Sequence, residues 1–295
     1  MSTLHSKTVV ITDFDNTLYD WFEVWHESFS ALVADVIKIT GLERQQLLSE
    51  IKKVHEKHGT TEYSWLLEEL PSLRKLYSQE QIKTVFDSSI HAFRSARKQS
   101  LKLYPGVLPT LLSLTERGVM IASYTESLAY PTVYRMKALK LDGLISYLYS
   151  SPDHDNPKNI NVQNERMYSE EYYKLDSTVH RNTVKGTKKP NAQVLLGIVK
   201  DIGAHIDECV YIGDSLSRDV AMANDAGICS VFAKYGEAHN DNRYKLLEEV
   251  THWTGDEVQK LQTNTQQIEP KIVLENSFDE ILNHFVFNKF EGEKS

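Results

Sequence analysis

Two aspartates separated by one residue, Asp13 and Asp15, are the clearest chemical feature of this sequence. They follow a short apolar run, residues 8–12, that is typical of a buried β-strand. Because side chains alternate along a strand, both carboxylates are expected on one face, with Phe14 on the other. Two carboxylates this close repel each other unless a cation lies between them or one carries a proton. The pair therefore indicates a site for chemistry.

Further reactive side chains follow other predicted strands or begin predicted helices. Thr125 comes soon after an apolar run, Asp214 ends another, and Lys189 stands at the start of a helical stretch. Asp219 follows Asp214 by about one helical turn. In parallel sheets the active site lies beyond the carboxyl ends of the strands, which is where the sequence places the first aspartate pair.

Strands and helices alternate along most of the chain, which predicts an α/β fold with a parallel sheet covered on both faces. The exception is residues 19–102, where helical periodicity recurs with no strand between, so a separate helical bundle is predicted there. The core is then expected to comprise residues 1–18 and 103–295. Two polar stretches, 152–186 and 237–267, do not fit the alternation, and the first is predicted to be an extra insertion within the core.

Composition limits the classes of function. The 295 residues are 41% hydrophobic and 25% charged, as in ordinary globular proteins. A formal net charge of -8 argues against nucleic-acid binding, which requires a basic face. The two cysteines, Cys209 and Cys229, lack metal-ligand spacing. With no long apolar segment in the sequence, a cytoplasmic enzyme without a membrane or nucleic-acid partner is expected.

Taken together, the reactive residues resemble the four motifs of the haloacid dehalogenase-like superfamily of phosphohydrolases. The matching residues are Asp13-Phe14-Asp15-Asn16-Thr17, Thr125, Lys189-Pro190 and Gly213-Asp214-Ser215-Leu216-Ser217-Arg218-Asp219. Shorter signals at residues 103–106 and 225–228 agree with them. The resemblance implies a Rossmann-like, doubly wound parallel sheet. It also gives the helical bundle the position of a cap domain inserted between the first and second motifs, as in subclass I.

The resemblance implies the catalytic roles of four residues. Asp13 would attack phosphorus and form an aspartyl phosphate, which splits hydrolysis into two displacements. Asp15 would protonate the leaving alcohol and then take a proton from the attacking water. The Thr125 hydroxyl and backbone amides would hold the phosphoryl oxygens, and Lys189 would neutralise charge between nucleophile and phosphate.

The resemblance also implies a Mg²⁺ site and a phosphate site. Mg²⁺ would be held by the Asp13 carboxylate, the Asp15 carbonyl and Asp214, because it is a hard cation that prefers oxygen ligands. The residues implied to bind phosphate are Asn16, Thr125, Glu126 and Lys189. The residues implied to support these groups without binding substrate are Thr17, Ser215 and Asp219, the last by orienting Lys189 or a metal-bound water.

Structural roles are alternatives for several of these residues. Thr125 and Ser215 could each cap the helix that follows. Asp219 could be an acid favoured by the helix dipole, and Lys188 could replace Lys189. Residues 153–155, an Asp-His-Asp run, could form a metal site or a solvated loop. The residues near enough to the first motif to contact substrate, with core packing as the alternative, are Tyr19, Trp21 and His26.

The predicted reaction is hydrolysis of a small phosphomonoester, such as a nucleotide or sugar phosphate. Dehalogenases of the family form an ester with carbon and need no acid two residues after the nucleophile, so Asp15 favours phosphoryl transfer. A cap that closes over the site would admit small substrates rather than phosphoproteins. The alternatives are a phosphosugar mutase or a haloacid dehalogenase of the same fold. An alternative of another class is a non-catalytic protein that binds a phosphorylated metabolite.

Overall fold

The computed structural model describes four stretches of the chain, residues 5–154, 168–237, 242–253 and 267–292. Parts of the two polar stretches that interrupt the predicted alternation, including Asp155, lie outside the described residues. Within the four stretches, no helix is both long and apolar enough to cross a membrane.

The strands of these stretches are β1 (His5–Lys7), β2 (Val9–Thr12), β3 (Met120–Leu128), β4 (Tyr147–Ser151), β5 (Val179–Asn182), β6 (Cys209–Gly213), β7 (Cys229–Ala233), β8 (Ile272–Leu274) and β9 (Phe285–Phe287). Seven of them form a parallel sheet in the order β5-β4-β3-β2-β6-β7-β8. The remaining two, β1 and β9, pair with each other in parallel.

β2 is the central strand of the sheet, and all four of its residues are buried. This burial explains its continuous apolar sequence, which parallel strands covered on both faces require. The chain proceeds outward through β3, β4 and β5 on one side and through β6, β7 and β8 on the other. The strand order therefore reverses at β2, and such a switch point opens a crevice at the carboxyl ends of the strands. The predicted α/β, Rossmann-like doubly wound sheet is confirmed.

The helices of the described stretches are α1 (Trp21–Thr40), α2 (Arg44–His58), α3 (Leu66–Glu69), α4 (Pro71–Leu76), α5 (Gln79–Val85), α6 (Asp87–Ser100), α7 (Val107–Glu116), α8 (Ala129–Ala138), α9 (Ala192–Ile202), α10 (Ala221–Asp225) and α11 (Tyr244–Val250). A π-helical turn, Leu216–Val220, precedes α10. Helices α7 to α10 alternate with the strands of the sheet, whereas α1 to α6 follow one another without a strand.

The chain divides into two compact units. The core unit comprises Met1–Asp20, Lys102–Glu237 and Asn264–Ser295, and it contains the sheet. The helical unit comprises Trp21–Leu101 together with Ala238–Thr263. Two distant stretches of sequence thus build the helical unit, whereas the sequence pattern alone places the second stretch in the core.

Helix α11 belongs to the helical unit because it packs on α2. The Nδ1 of His55 donates a hydrogen bond to the carbonyl oxygen of Val250 at 2.7 Å, and Arg44 contacts Glu249 at 3.3 Å. Burial lowers the pKa of His55 to about 4. A helix of seven residues among polar neighbours has too short a periodic pattern to indicate its partner, so this packing had no signal in the sequence.

Three elements differ from what their local sequence predicts. Pro71 predicts the end of a helix but begins α4, since a proline fits the first turn, where its missing N–H would have no partner. The apolar spacing after Ser78 predicts one helix, which the structure divides into α5 and α6 at the buried Phe86. The apolar run at residues 119–123 predicts a short strand, but β3 continues to Leu128, so Thr125 lies within the strand.

Two strand pairings were not predicted. β5 lies inside the predicted insertion at the edge of the sheet, and its side chains are mostly exposed. An exposed edge strand needs no apolar run, so its sequence is polar and gives no strand signal. β1 and β9 have three residues each, which is too short for a periodic pattern.

Candidate functional site

The carboxyl ends of β2, β3 and β6 bring most of the predicted residues together. Asp13 follows β2, and its backbone N–H donates to the Ile212 oxygen of β6 at 2.7 Å, so the strand ladder continues to the aspartate. Asp214 follows β6, and Thr125 lies in β3. Lys189 comes from the loop before α9, and its side chain reaches Asp13. The crevice at the switch point is therefore lined by residues from all four motifs.

Lys189 joins two carboxylates. Its Nζ lies 2.6 Å from Oδ1 of Asp13 and 2.8 Å from Oδ1 of Asp219. The Tyr211 hydroxyl donates to the same Asp219 oxygen at 2.9 Å. Lys188, the alternative lysine, has an exposed side chain. The structure thus places Lys189, and not its neighbour, against the first motif.

The surroundings of Lys189 keep it positively charged. Burial alone would lower its pKa, but the carboxylates of Asp13 and Asp219 raise that pKa well above its ordinary value. The Nζ also lies 4.9 Å from the ring centroid of Tyr124 and 5.7 Å from that of Tyr211. Aromatic faces attract cations at such distances. Lys189 is therefore a fixed positive charge beside Asp13.

The Asp15 carboxylate is turned towards a different set of partners. Its Oδ2 accepts hydrogen bonds from the hydroxyls of Thr125 at 2.8 Å and Ser127 at 2.6 Å. Its Oδ1 accepts one from the Tyr19 hydroxyl and lies 3.6 Å from Nη1 of Arg135. Thr125 does not cap α8, because its oxygen accepts the Ser127 N–H at 3.0 Å, ahead of that helix. Donors from three parts of the core thus surround one carboxylate.

Three carboxylates form an acidic cluster beside Lys189. Among the described residues, Asp13, Asp214 and Asp219 offer oxygens that all lie within 4.8 Å of one another. Burial, together with the neighbouring negative charges, raises the pKa of Asp13 to about 7 and that of Asp214 well above its ordinary value. The Asp15 carboxylate is not part of this cluster, so Asp15 could serve an ion there only through its carbonyl.

The donor set of this cluster fits a hard divalent cation. Carboxylate oxygens are the ligands that Mg²⁺ prefers. Both oxygens of Asp219 are engaged, Oδ1 by Lys189 and Tyr211 and Oδ2 by the Ser215 N–H, whereas Lys189 contacts Oδ1 of Asp13. This leaves Asp13 and Asp214 as the acidic ligands. Burial, together with the neighbouring carboxylates, disfavours the charged forms of these two groups and so raises their pKa values. A divalent cation between them would favour the charged forms.

Two residues expected to bind phosphate make contacts within the protein. Asn16 has a positive φ of 56°, and its carbonyl oxygen lies so close to Gly236 that a Cβ there would overlap it. The Glu126 carboxylate accepts the Lys189 backbone N–H at 2.7 Å and forms an ion pair with Arg218. Glu126 therefore connects β3 with the loop before α9 and with the π-helical turn, and its side chain is not aimed at an anion.

The three residues expected to support the site do contact its loops. Thr17 is buried, and its carbonyl oxygen accepts the Tyr235 hydroxyl at 2.7 Å. The Ser215 N–H donates to Oδ2 of Asp219 at 3.2 Å, and the Ser215 side chain makes no capping bond. Asp219 therefore receives a backbone N–H as well as Lys189, which fixes both of its oxygens.

Sequence reasoning missed the roles of three residues. Tyr19 was considered only as a substrate contact or a packing residue, but its hydroxyl binds Asp15. The role of Ser127 has a signal in the sequence, because Thr125 and Ser127 are two residues apart and so share one face of a strand. The role of Arg135 has no signal in the sequence, since a basic residue near the end of a helix is ordinary.

Three other candidates have other partners among the described residues. Trp21 and His26 belong to the helical unit, where Trp21 stacks on Trp25 at 6.2 Å and His26 contacts Glu27. In the predicted Asp-His-Asp run, Asp153 accepts a backbone N–H at the start of α8. The third residue of that run lies outside the described stretches.

Comparisons with known proteins agree with the motifs. The family model for haloacid dehalogenase-like hydrolases matches residues 7–227. Glyceraldehyde 3-phosphate phosphatase of Methanopyrus kandleri is 26% identical over 233 residues, which are 77% of this chain and 84% of the relative. A 2-haloacid dehalogenase structure from Pseudomonas syringae superposes with a TM-score of 0.53 at 16% identity, over 95% of this chain and 97% of that one. A Thermotoga maritima protein assigned as a β-phosphoglucomutase gives 0.52 at 17% identity with the same coverage.

Proposed function

Because this chain belongs to the haloacid dehalogenase-like hydrolase family, we propose that it is a magnesium-dependent phosphatase of small phosphomonoesters. The observation that carries the proposal is the arrangement around the first motif. Asp13 contacts the buried cation Lys189, while Asp15, two residues on, is held separately by hydroxyl donors. A nucleophile and an acid–base group need such different surroundings if they are to do different work.

In the proposed mechanism, an oxygen of Asp13 attacks phosphorus as the bond to the alcohol oxygen breaks. Lys189 holds Oδ1 of Asp13 and so orients the carboxylate for this attack. Asp15 donates a proton to the departing alcohol. Water then attacks the aspartyl phosphate and gives its proton to Asp15, which restores both aspartates and releases phosphate.

Magnesium would be held by the carboxylates of Asp13 and Asp214 together with the Asp15 carbonyl. When bound, the ion supplies positive charge that offsets the phosphate and the acidic cluster. Asp219 would act from outside this set, because its oxygens hold Lys189 and the Ser215 N–H. Thr125, Asn16 and the backbone after Thr125 are the groups proposed to approach the phosphoryl oxygens.

The substrate is proposed to be a small phosphorylated metabolite, such as a sugar or nucleotide phosphate. The relative from Methanopyrus kandleri, a phosphatase of a small phosphorylated aldehyde, supports this class. The structural neighbours include a dehalogenase and a mutase, but at under 25% identity they show the fold alone. We propose the role of a cap for the helical unit because its main segment lies between the first and second motifs.

A panel of phosphomonoesters assayed with Mg²⁺ tests the proposal. We expect phosphate release from at least one small sugar or nucleotide phosphate, and none from Asp13→Asn. Asp15→Asn is expected to abolish turnover while Mg²⁺ binding, measured by calorimetry, persists. If the wild-type protein binds a phosphorylated metabolite in the presence of Mg²⁺ but does not hydrolyse it, the non-catalytic alternative is favoured. Chloride release from a 2-haloacid would favour the dehalogenase.

A further inference from the structure

Arg135 is a buried cation that the proposed mechanism does not use. It lies in the last turns of α8, and its side chain is only 3% exposed. Nη1 lies 3.6 Å from Oδ1 of Asp15, and the guanidinium lies 5.7 Å from the ring centroid of Tyr19. An arginine cannot shed its charge, so burying it is costly unless its neighbours stabilise that charge. The neighbours that the structure shows are the Asp15 carboxyl group and the Tyr19 ring.

We propose that Arg135 is a positioning residue for the acid–base aspartate, acting together with Tyr19. The inference rests on the proposed function, since it assigns to Asp15 the transfer of a proton to the leaving alcohol. Tyr19 donates to Oδ1 of Asp15, and Arg135 faces that same oxygen. Ser127 and Thr125 donate to Oδ2, so both ends of the carboxylate are held.

Holding both oxygens fixes the direction of the carboxylate. A carboxylate bound at one oxygen can still swing about the Cβ–Cγ bond, whereas partners at both oxygens stop that rotation. Proton transfer needs its donor within hydrogen-bond reach of the leaving oxygen, and small displacements reduce the rate steeply. Arg135 also fixes the Tyr19 ring by its position over the aromatic face. Losing Arg135 therefore loosens two of the partners of Asp15 at once.

The dependence of the rate on the leaving group separates this role from a merely structural one. An alkyl phosphate needs a proton on its departing oxygen, whereas p-nitrophenolate leaves without one. For Arg135→Gln, we expect kcat/KM for a sugar phosphate to fall about 10- to 100-fold, and that for p-nitrophenyl phosphate by less than about threefold. Because kcat/KM covers only steps up to leaving-group departure, the later hydrolysis of the aspartyl phosphate does not blur the comparison.

Further variants keep the test decisive. Lys137→Gln changes another cation of α8, one that pairs with the exposed Asp176, and is expected to leave both rates unchanged. If Arg135→Gln does not fold, Tyr19→Phe removes a donor to the same oxygen without changing charge, and should show the same selective loss.

Equal losses for the two substrates would overturn the inference. That result leaves the proposed phosphatase activity standing. If the wild-type protein instead hydrolyses neither substrate nor any member of the panel, the proposed function itself is wrong. The two failures are thus distinguished by whether the wild-type protein is active.

Discussion

At the scale of single residues, Lys189 is the buried cation that joins the carboxylates of Asp13 and Asp219. We expect Lys189→Met to lower phosphomonoester turnover at least about 100-fold, because the charge beside the nucleophile is lost. Without magnesium, the buried carboxylates of Asp13 and Asp219 would face each other uncompensated. The free energy of unfolding should then fall by about 3 kcal/mol. Steady-state kinetics and urea unfolding measure the two effects.

Lys188→Met is the matched control for this variant. The two lysines are neighbours in sequence, but Lys188 is exposed and Lys189 is buried. We expect the control to leave turnover unchanged and to alter the free energy of unfolding by no more than about 0.5 kcal/mol. Similar effects of the two variants would contradict the assigned charge arrangement.

The acidic cluster predicts a second effect at the residue scale. Asp214→Asn removes one of the two acidic ligands proposed for Mg²⁺ and should raise the Mg²⁺ concentration for half-maximal activity at least about tenfold. Chelation of the metal should abolish the activity of the wild-type protein. Asp207→Asn, an exposed change just before β6, is the control and should leave the Mg²⁺ titration unaltered. Identical titrations of Asp214→Asn and wild-type protein would place the ion elsewhere.

The sequence indicated the charged residues of the site but not most of their partners. Asp13, Asp15 and Asp214 could be predicted because each follows an apolar strand whose carboxyl end must point to the switch point. Arg135 meets Asp15 only because α8 has one particular rotation on the sheet. Such a rotation depends on packing between whole side chains, and no local pattern around residue 135 records it.

At the scale of elements, local signals were sufficient where an element is long and periodic. The bounds of α7, Val107–Glu116, could be read from the sequence because Gly106 and Gly118 flank an amphipathic run. Phe86 gave no such signal, since the residues on both sides favour helix and only burial of its ring divides α5 from α6. Tertiary packing overrides propensity at such positions.

Two glycines in different elements make a matched test of the turn after β7. A Cβ at Gly236 would overlap the Asn16 carbonyl, so Gly236→Ala should displace the first motif, lower activity and cost about 1–3 kcal/mol of stability. Gly197 lies in the interior of α9 with open space around it. Gly197→Ala should therefore stabilise the protein by about 0.5–1 kcal/mol. Thermal unfolding measures both, and a Gly236→Ala variant as stable and active as the wild type would refute the close approach.

At the scale of the whole molecule, the helical unit carries a dependence on pH. His55 is buried beneath α11, and burial lowers its pKa to about 4, from an ordinary value of 6.5. The folded state therefore disfavours the protonated form of His55. The contribution of His55 to the free energy of unfolding is complete above pH 6.5 and is lost as the pH falls towards 4. The loss should reach about 3 kcal/mol.

Tryptophan fluorescence can follow this loss selectively. All four tryptophans, Trp21, Trp25, Trp65 and Trp253, belong to the helical unit. Urea unfolding should give a lower midpoint at about pH 4.5 than at about pH 7. His55→Asn keeps a donor for Val250 but cannot titrate, so its pH dependence should be weaker, whereas His91→Asn, on the exposed side of α6, should behave like the wild type. If the urea midpoints of the two variants change equally with pH, His55 is excluded as the cause.

The helical unit is built from two distant segments of the chain, so it cannot be completed until the second segment has been synthesised. Val250 is synthesised 195 residues after His55, its hydrogen-bond partner. Helix α2 therefore leaves the ribosome well before the segment that covers it exists. At elongation rates of about 5–20 residues per second, this interval lasts roughly 10–40 s. During that time α2 lacks the helix that packs on it in the finished protein.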